Sequence, residues 1–486
     1  EQEIPLVIYD ADGKELYVPP CPLPERLDEA EELRPARELD GVPPDRVCRC
    51  YMKSYEELMK MAGELNKVTM NYMQLVETLV YILKATASFV PAAVYGVEKP
   101  DTSLYAHSIL AAALASTGGE FYVAAVDVGR IQEYITRARR VGGAMSVLRG
   151  RSLRITLLQR IAIRRLIEEV NKRLGGDIVT YANVLLDTGG EAVLILPRVE
   201  GLEDIARRIE EEVLRESEGA LTVYIHFSGP YREVEGFGNI MATLHRDMAR
   251  RKFLYLEYPP PGNSGNAKSP RGLYRFSDTV CEFCGRPTAR PQNDRIGKEE
   301  PILCNLCAED LEVGKAARNL AAVAITRLPP VKRERWERCE VGGWSMLGYT
   351  ALFMGGDECD VKDLAQLARE GFVYVVNSRS FVLGIDGVGY GFIYTNQHMP
   401  TDEAGVSSLD ALKKYALFIK WDGNSMGERK VAASVSPSRL ATFSAAVGVA
   451  YELYPALLAG VEKFRHSVYV VYAGGDDAVL AGDLAA

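Results

Sequence analysis

Residues 470–480 read Val-Val-Tyr-Ala-Gly-Gly-Asp-Asp-Ala-Val-Leu. Two β-rich runs flank Gly474, Gly475, Asp476 and Asp477, which predicts a tight hairpin with carboxylates at its tip. Glycine lets the backbone turn there and lets a phosphate approach closely. Adjacent carboxylates suit a hard divalent cation that stays partly hydrated and bridges phosphates. A further acid lies upstream. Residues 416–422, Ala-Leu-Phe-Ile-Lys-Trp-Asp, form an apolar strand ending on Asp422, and the turn Gly423-Asn424-Ser425-Met426-Gly427 follows. Taken singly, the tetrapeptide is also an ordinary hairpin tip and Asp422 an ordinary strand end. Together they have the order and separation by which two metal ions share carboxylates for nucleotidyl transfer.

The elements that position these acids occur twice. Phe121–Asp127 is again an apolar strand ending on an acid. Asn183–Pro197 is again strand, Gly189-Gly190, acid (Glu191), strand. The first copy has one acid fewer, which suggests a catalytic half and a supporting half, both of palm type; an internal repeat outranks local readings in setting architecture. Between the copies, Cys281-Glu-Phe-Cys284 and Cys304-Asn-Leu-Cys307 have the spacing of a closed, structural four-cysteine zinc site. Disulfides are disfavoured there because no secretion signal is visible. Cys21 and the Cys48-Arg-Cys50 pair read as incidental.

The bulk properties suit an intracellular, cytoplasmic protein of about three domains. It has 486 residues, 47% of them hydrophobic, and nine cysteines. No run of eighteen uncharged apolar residues is present; the nearest, Leu75–Tyr95, contains Glu77 and Lys84 and reads as a buried helix. A net charge of −9 argues against wholesale coating of nucleic acid. Arg130–Arg165, however, holds ten arginines and a single acid, Glu133. Arg137, Arg139, Arg140, Arg149 and Arg151 are therefore the candidate nucleic-acid or nucleotide contacts. Trp336, among Arg333, Arg335 and Arg338, fits stacking on RNA and a surface helix equally well.

Four regions are expected. Residues 1–118 hold a hairpin (Leu6–Val18) and helices at Tyr55–Leu65, Tyr72–Ala87 and Leu104–Ser116. Residues 119–257 are the first palm-like unit. Residues 258–345 carry a linker, the cysteine knuckle and a helix at Ala308–Ile325. Residues 346–486 are the second unit. It ends nine residues after Asp477, short of the helix and strand that a palm sheet normally adds, so either the sequence is cut short or another chain is expected to complete the fold.

In this order, Asp127-Val-Gly-Arg-Ile-Gln132, Leu148-Arg-Gly-Arg-Ser152, the four cysteines, Asp422-Gly-Asn-Ser-Met-Gly427, Ser434-Val-Ser-Pro-Ser-Arg439 and Ala473-Gly-Gly-Asp-Asp477 resemble the large subunit of type III CRISPR–Cas effector complexes. That is the Cas-ten family, Csm-type branch. The resemblance implies an α+β multidomain protein with two ferredoxin-like palm domains, a helical N-terminal region and a zinc-binding insert held by the four cysteines. It also implies synthesis of cyclic oligoadenylates from ATP, activated by target RNA. Asp422, Asp476 and Asp477 would hold Mg²⁺ or Mn²⁺. Gly423, Gly427, Gly474 and Gly475 would pass close to the nucleotide. CRISPR RNA, target RNA, and the small, guide-5′-end-binding and backbone subunits would be partners, with no membrane involved. Two departures stand out: Asn424 replaces a frequent second acid, and no His-Asp pair is present. HD-type DNA cleavage is therefore not expected, the N-terminal region reads as a degenerate HD-like remnant, and His107 reads as a packed helix histidine. The competing readings are a catalytically silent scaffold subunit and a cyclic-dinucleotide synthase of the Gly-Gly-Asp-Glu-Phe type.

Overall fold

The protein is described by a computed structural model covering residues 4–10, 12–66, 70–92, 99–139, 143–254, 279–288, 291–293, 300–317, 320–327, 334–336, 339–355, 371–379, 390–395, 416–423, 426–461, 467–474 and 477–483. Strands β1 (Leu6–Tyr9) and β2 (Glu15–Val18) pair antiparallel. Asp10 Oδ1 closes their turn by accepting from the Asp12 and Lys14 amides, each at 2.9 Å. Helices α1 (Pro44–Leu65), α2 (Tyr72–Ala87) and α3 (Leu104–Ala115) follow. Asn71 and Gln74 form a reciprocal capping box at the start of α2, satisfying amide donors that a helix start leaves open. Cys21 and Cys50 are disulfide-bonded. The expectation that both were incidental is corrected: folding brings the segment before α1 against that helix, while Cys48 stays exposed and free.

The first unit is β3 (Phe121–Gly129), α4 (Ile131–Thr136), α5 (Ala144–Leu174), β4 (Val184–Thr188), β5 (Glu191–Pro197), α6 (Leu202–Glu216), β6 (Thr222–Tyr231) and α7 (Phe237–Leu254). Its antiparallel sheet has the order β4-β5-β3-β6. That is the βαββαβ arrangement of a ferredoxin-like fold. Runs such as Ala192–Leu196 are fully buried, because helices cover the sheet and leave no wet face for alternation to mark.

The cysteine knuckle comprises a short hairpin, β7 (Pro291–Asn293) and β8 (Ile302–Cys304), and helix α8 (Asn305–Ala316). The helix expected over Ala308–Ile325 ends early. Leu-Ala-Ala-Val-Ala-Ile-Thr forms strand β9 (Leu320–Thr326), six of its seven residues being buried. Pairing with strands on both edges holds this buried run as strand despite its three alanines, tertiary context overriding local preference.

Strand β9 belongs to a six-stranded sheet with β10 (Glu334–Trp336), β11 (Cys339–Met346), β12 (Tyr349–Gly355), β13 (Gly371–Val376) and β14 (Tyr390–Ile393), in the order β10-β11-β12-β9-β13-β14. Two expectations change here. Trp336 sits on a strand, paired with Cys339 in a hairpin, and not on a surface helix. Strands β12 and β13, which the expected second unit included, pair with β9, so the repeat of the first unit's strands begins only at residue 416.

That second unit is β15 (Ala416–Asp422), α9 (Met426–Ala433), α10 (Pro437–Gly448), a π turn (Val449–Leu453), α11 (Tyr454–Gly460), β16 (Val468–Gly474) and β17 (Asp477–Asp483). Its strand order, β16-β17-β15, repeats β4-β5-β3. The two units pack reciprocally: α10 lies against β4, and α5 lies against β16. Leu440, Ala441 and Ala445 on α10 and Val184, Leu185 and Leu186 on β4 share one core. Pro437–Leu458 is long and apolar enough to cross a membrane by length and composition, and 56% of its most apolar stretch is buried inside the protein.

Candidate active site and metal centre

In the second unit, antiparallel pairing sets Asp422 directly opposite Asp477, and Asp477 in turn opposite Gly474. One strand end and one hairpin flank therefore bring two of the expected acids together. Asp422 is exposed, Gly423 is buried, and Gly427 is exposed at the start of α9. Gly475, Asp476, Asn424 and Ser425 lie outside the described residues.

The first unit repeats this register with different chemistry. Asp127 stands opposite Glu191, and Thr188 pairs with Glu191 across the Gly189-Gly190 turn. Gly190 has φ +102°, and an added Cβ would lie 2.4 Å from Ile131 Cδ1, so the tip demands glycine. By register Glu191 matches Asp477, so the acid that the first copy lacks corresponds to Asp476. Amines occupy the neighbourhood instead. Lys252 of α7 holds Asp127 at 2.6 Å. Lys430 of α9 crosses from the second unit to pair with Glu191, and His245 Nε2 lies 3.6 Å from the same carboxylate.

Burial pushes the Asp127 carboxyl above its usual range, against the pull of Lys252. Burial acts on Glu191 in the same sense, but the Lys430 ammonium outweighs it and holds that carboxyl low. His245 is pushed down, first by burial and then by Lys430. The sequence carries no short-range signal for Lys252, His245 or Lys430; their partners are more than fifty residues away.

The four cysteines converge. Cys281, Cys284, Cys304 and Cys307 are all buried, and their sulfurs lie within 4.8 Å of one another. The Cys284 and Cys304 sulfurs are 3.8 Å apart, the edge of a tetrahedron with metal–sulfur bonds of about 2.3 Å. Amides of Cys284 and Cys307 point at the Cys281 and Cys304 sulfurs at 3.5 and 3.4 Å. The start of α8 adds its positive dipole end. This donor set fits a closed Zn²⁺ site.

The arginines divide, and part of their expected role is corrected. Arg149 and Arg151 are each 1% exposed and cannot meet nucleic acid from within this fold. Arg149 donates to Gly314 O at 2.9 Å. Arg151 donates to Arg137 O at 2.8 Å and to Cys307 Sγ at 3.2 Å. The sequence hid the acid that meets this stretch: Asp310, fully buried on α8 and more than 150 residues downstream, lies 2.7 Å from Arg154 Nε and 3.7 Å from Arg151 Nε. Arg137 donates to Cys284 O at 3.0 Å and pairs with Glu133. Arg139 is exposed and remains a candidate contact; Arg140 lies outside the described residues. His107 is exposed on α3 and not packed.

The family model described as Csm1 subunit domain B matches residues 120–252. No curated protein matches the chain. Among solved structures, the Csm1–Csm4 subcomplex of the type III-A CRISPR–Csm interference complex has a TM-score of 0.63 at 18% identity, over 99% of this chain and 62% of that one. Csm1 in T. onnurineus has a TM-score of 0.59 at 19% identity, over 99% and 58%. A Csm1–Csm4 cassette in complex with cA4 has a TM-score of 0.61 at 18% identity, over 99% and 61%. The chain thus spans about three-fifths of the length of the structures it matches. Residues 120–252 thus match the Csm1 domain B family model, and the chain shares the fold of Csm1 over nearly all of its length.

Proposed function

We propose that the protein is the large subunit of an RNA-guided type III complex and that, once target RNA is recognised, it joins ATP into cyclic oligoadenylates. Its two ferredoxin-like units are then the two palms, and the acids of the second palm are the catalytic ones. One observation carries this reading: the Asp422–Asp477 register of the second unit is duplicated in the first as Asp127–Glu191, where lysines neutralise both acids. A unit whose carboxylates already hold amines needs no cation. A unit with three acids and no such amine on the described part of its turn suits Mg²⁺ or Mn²⁺. Structures with this fold have been solved with one ATP and with pppApA.

Asp422, Asp476 and Asp477 would hold the metal ions, which lower the pKa of a 3′-hydroxyl and stabilise the departing pyrophosphate when bound. Gly474 and Gly475 would give the phosphates room to lie against the backbone. In this reading two nucleotides would lie face to face, the donor on the second palm and the acceptor nearer the first, and the reciprocal packing of the units supports it. The tetrathiolate zinc site is structural. The guide and target RNAs, a Csm4-type subunit, and the small and backbone subunits are the partners, with exposed Arg139 a point of RNA contact.

The test is incubation of the assembled, target-bound complex with radiolabelled ATP and Mg²⁺, beside Asp422→Ala and Asp476→Ala/Asp477→Ala. Oligoadenylate from the parent, cut at least about a hundredfold in the variants, is expected. A parent complex that binds guide and target RNA yet makes no product would replace this reading with that of a scaffold subunit.

A further inference from the structure

Three arginines on one stretch of α5 are buried against α8: Arg149, Arg151 and Arg154, at 1%, 1% and 0% exposure. Buried guanidinium groups require anions. Arg154 takes the two nearby carboxylates, Asp310 Oδ1 at 2.7 Å and Glu309 Oε2 at 2.8 Å. The other Asp310 oxygen accepts from Tyr134 at 2.6 Å and lies 3.7 Å from Arg151 Nε, beyond a good hydrogen bond. The closest contact between Arg151 and a group able to carry negative charge is Cys307 Sγ, at 3.2 Å. Its remaining NH1 hydrogens go to Ile135 O and Arg137 O, at 3.3 and 2.8 Å. Four neutral thiols would leave this cation only Asp310, which Arg154 and Tyr134 already share, whereas four thiolates around one Zn²⁺ carry two net negative charges, buried at the same spot.

The same corner clamps the chain that enters α5. Arg139 N donates to Phe283 O at 2.8 Å, Arg137 Nε reaches Cys284 O, and the Arg151 guanidinium lies 5.1 Å from the Phe283 ring centroid. Knuckle backbone, cysteine sulfur and Arg151 therefore hold one segment, Ile135–Arg139, from two sides.

We propose that Arg151 is the charge partner of the metal–tetrathiolate centre, and that through Arg151 and the knuckle backbone metal binding positions the Ile135–Arg139 segment. This rests on the zinc reading above. It assigns Arg151 a positioning role toward the metal and makes the knuckle part of the first palm, not an appendage.

The test uses the full chain. Zinc content is measured first; then Zn²⁺ affinity by chelator competition, and thiolate-to-Co²⁺ charge-transfer absorption after exchange, for the parent, Arg151→Met, Arg151→Lys and Arg154→Met. One metal per chain is expected. Arg151→Met should weaken binding about 10- to 100-fold, the usual effect of removing a group that supports metal ligands. Arg151→Lys should fall between, and Arg154→Met, which touches no sulfur, should leave the charge-transfer band in place. In the parent, stripping the metal should speed tryptic cleavage after Arg137 and Arg139. A parent without metal overturns both the zinc reading and this proposal. Affinity unchanged in Arg151→Met overturns the proposal alone. If Arg151→Met does not fold, the parent decides: equal cleavage with and without metal overturns it.

Discussion

At the scale of single residues, the acids of the two units meet opposite fates in one geometry. Asp127 and Glu191 are half-buried and hold amines; Asp422, the counterpart of Asp127, is exposed. His245 lies within this cluster, facing Glu191, Lys430 and Lys252. Its pKa is depressed below the ordinary 6.5 by burial and by Lys430. The unfolded chain therefore takes up a proton at a higher pH than the native protein does. His245 favours the native state fully above pH 6.5, and this contribution is lost as pH falls from 6.5 through the depressed value. Melting temperatures measured between pH 8 and pH 5 should fall on the acid side, with a shallower fall in His245→Gln. Parallel curves for the two proteins would show that the histidine is not responsible.

At the scale of elements, the crossing of α5 and α8 is unusually close. A Cβ on Gly150 would sit 1.9 Å from Asp310 O, and one on Gly314 would sit 1.8 Å from Ser146 O. Two glycines, one per helix, let the backbones touch and bring Asp310 within reach of Arg154. Gly314→Val should force the helices apart, costing about 3 kcal/mol and weakening metal binding together with stability. Urea midpoints and zinc content report the two effects, and a variant with parental values for both would refute the role given to the crossing. Elements also show where local patterns mislead. Ala308–Ile325 has helix-forming residues at its start and β-branched ones at its end, and β9 is drawn into strand by pairing with β12 and β13.

At the scale of the whole molecule, the N-terminal helices, the first unit and the six-stranded sheet meet at one buried ionic knot. Arg164 of α5 donates to Glu77 of α2 at 2.5 Å and to the Tyr374 hydroxyl of β13; Tyr374 donates to Glu77 at 2.5 Å. The Arg164 guanidinium also lies over Phe372 at 3.6 Å. Removing one member of such a group leaves the others buried without a partner. Glu77→Ala should lower stability by about 3–5 kcal/mol, read as a drop in the urea midpoint. A loss under about 1 kcal/mol would mean that water replaces the carboxylate.

Much was legible from residues alone. The hairpin flanked by Gly474 and Asp477, the strand ending on Asp422, the first-copy strands and the four convergent cysteines all depend on local pattern and fixed spacing: a period of two, a turn that needs glycine, a CxxC that brackets one metal. Those constraints act over a few residues, so they are written in consecutive letters. The sequence also showed that the unit occurs twice. Tertiary structure alone decided which charges meet. Arginines without acids nearby looked like a nucleic-acid face until α8 brought Asp310 and a cysteine sulfur to them. Lys430 and Lys252 had no visible link to the first unit's acids. Cys21 and Cys50 found each other only through folding, and β12 and β13 joined β9 through hydrogen bonds that no local run announces. Charge pairing and strand pairing in the interior are matters of distance in space, and the sequence states distance only along the chain.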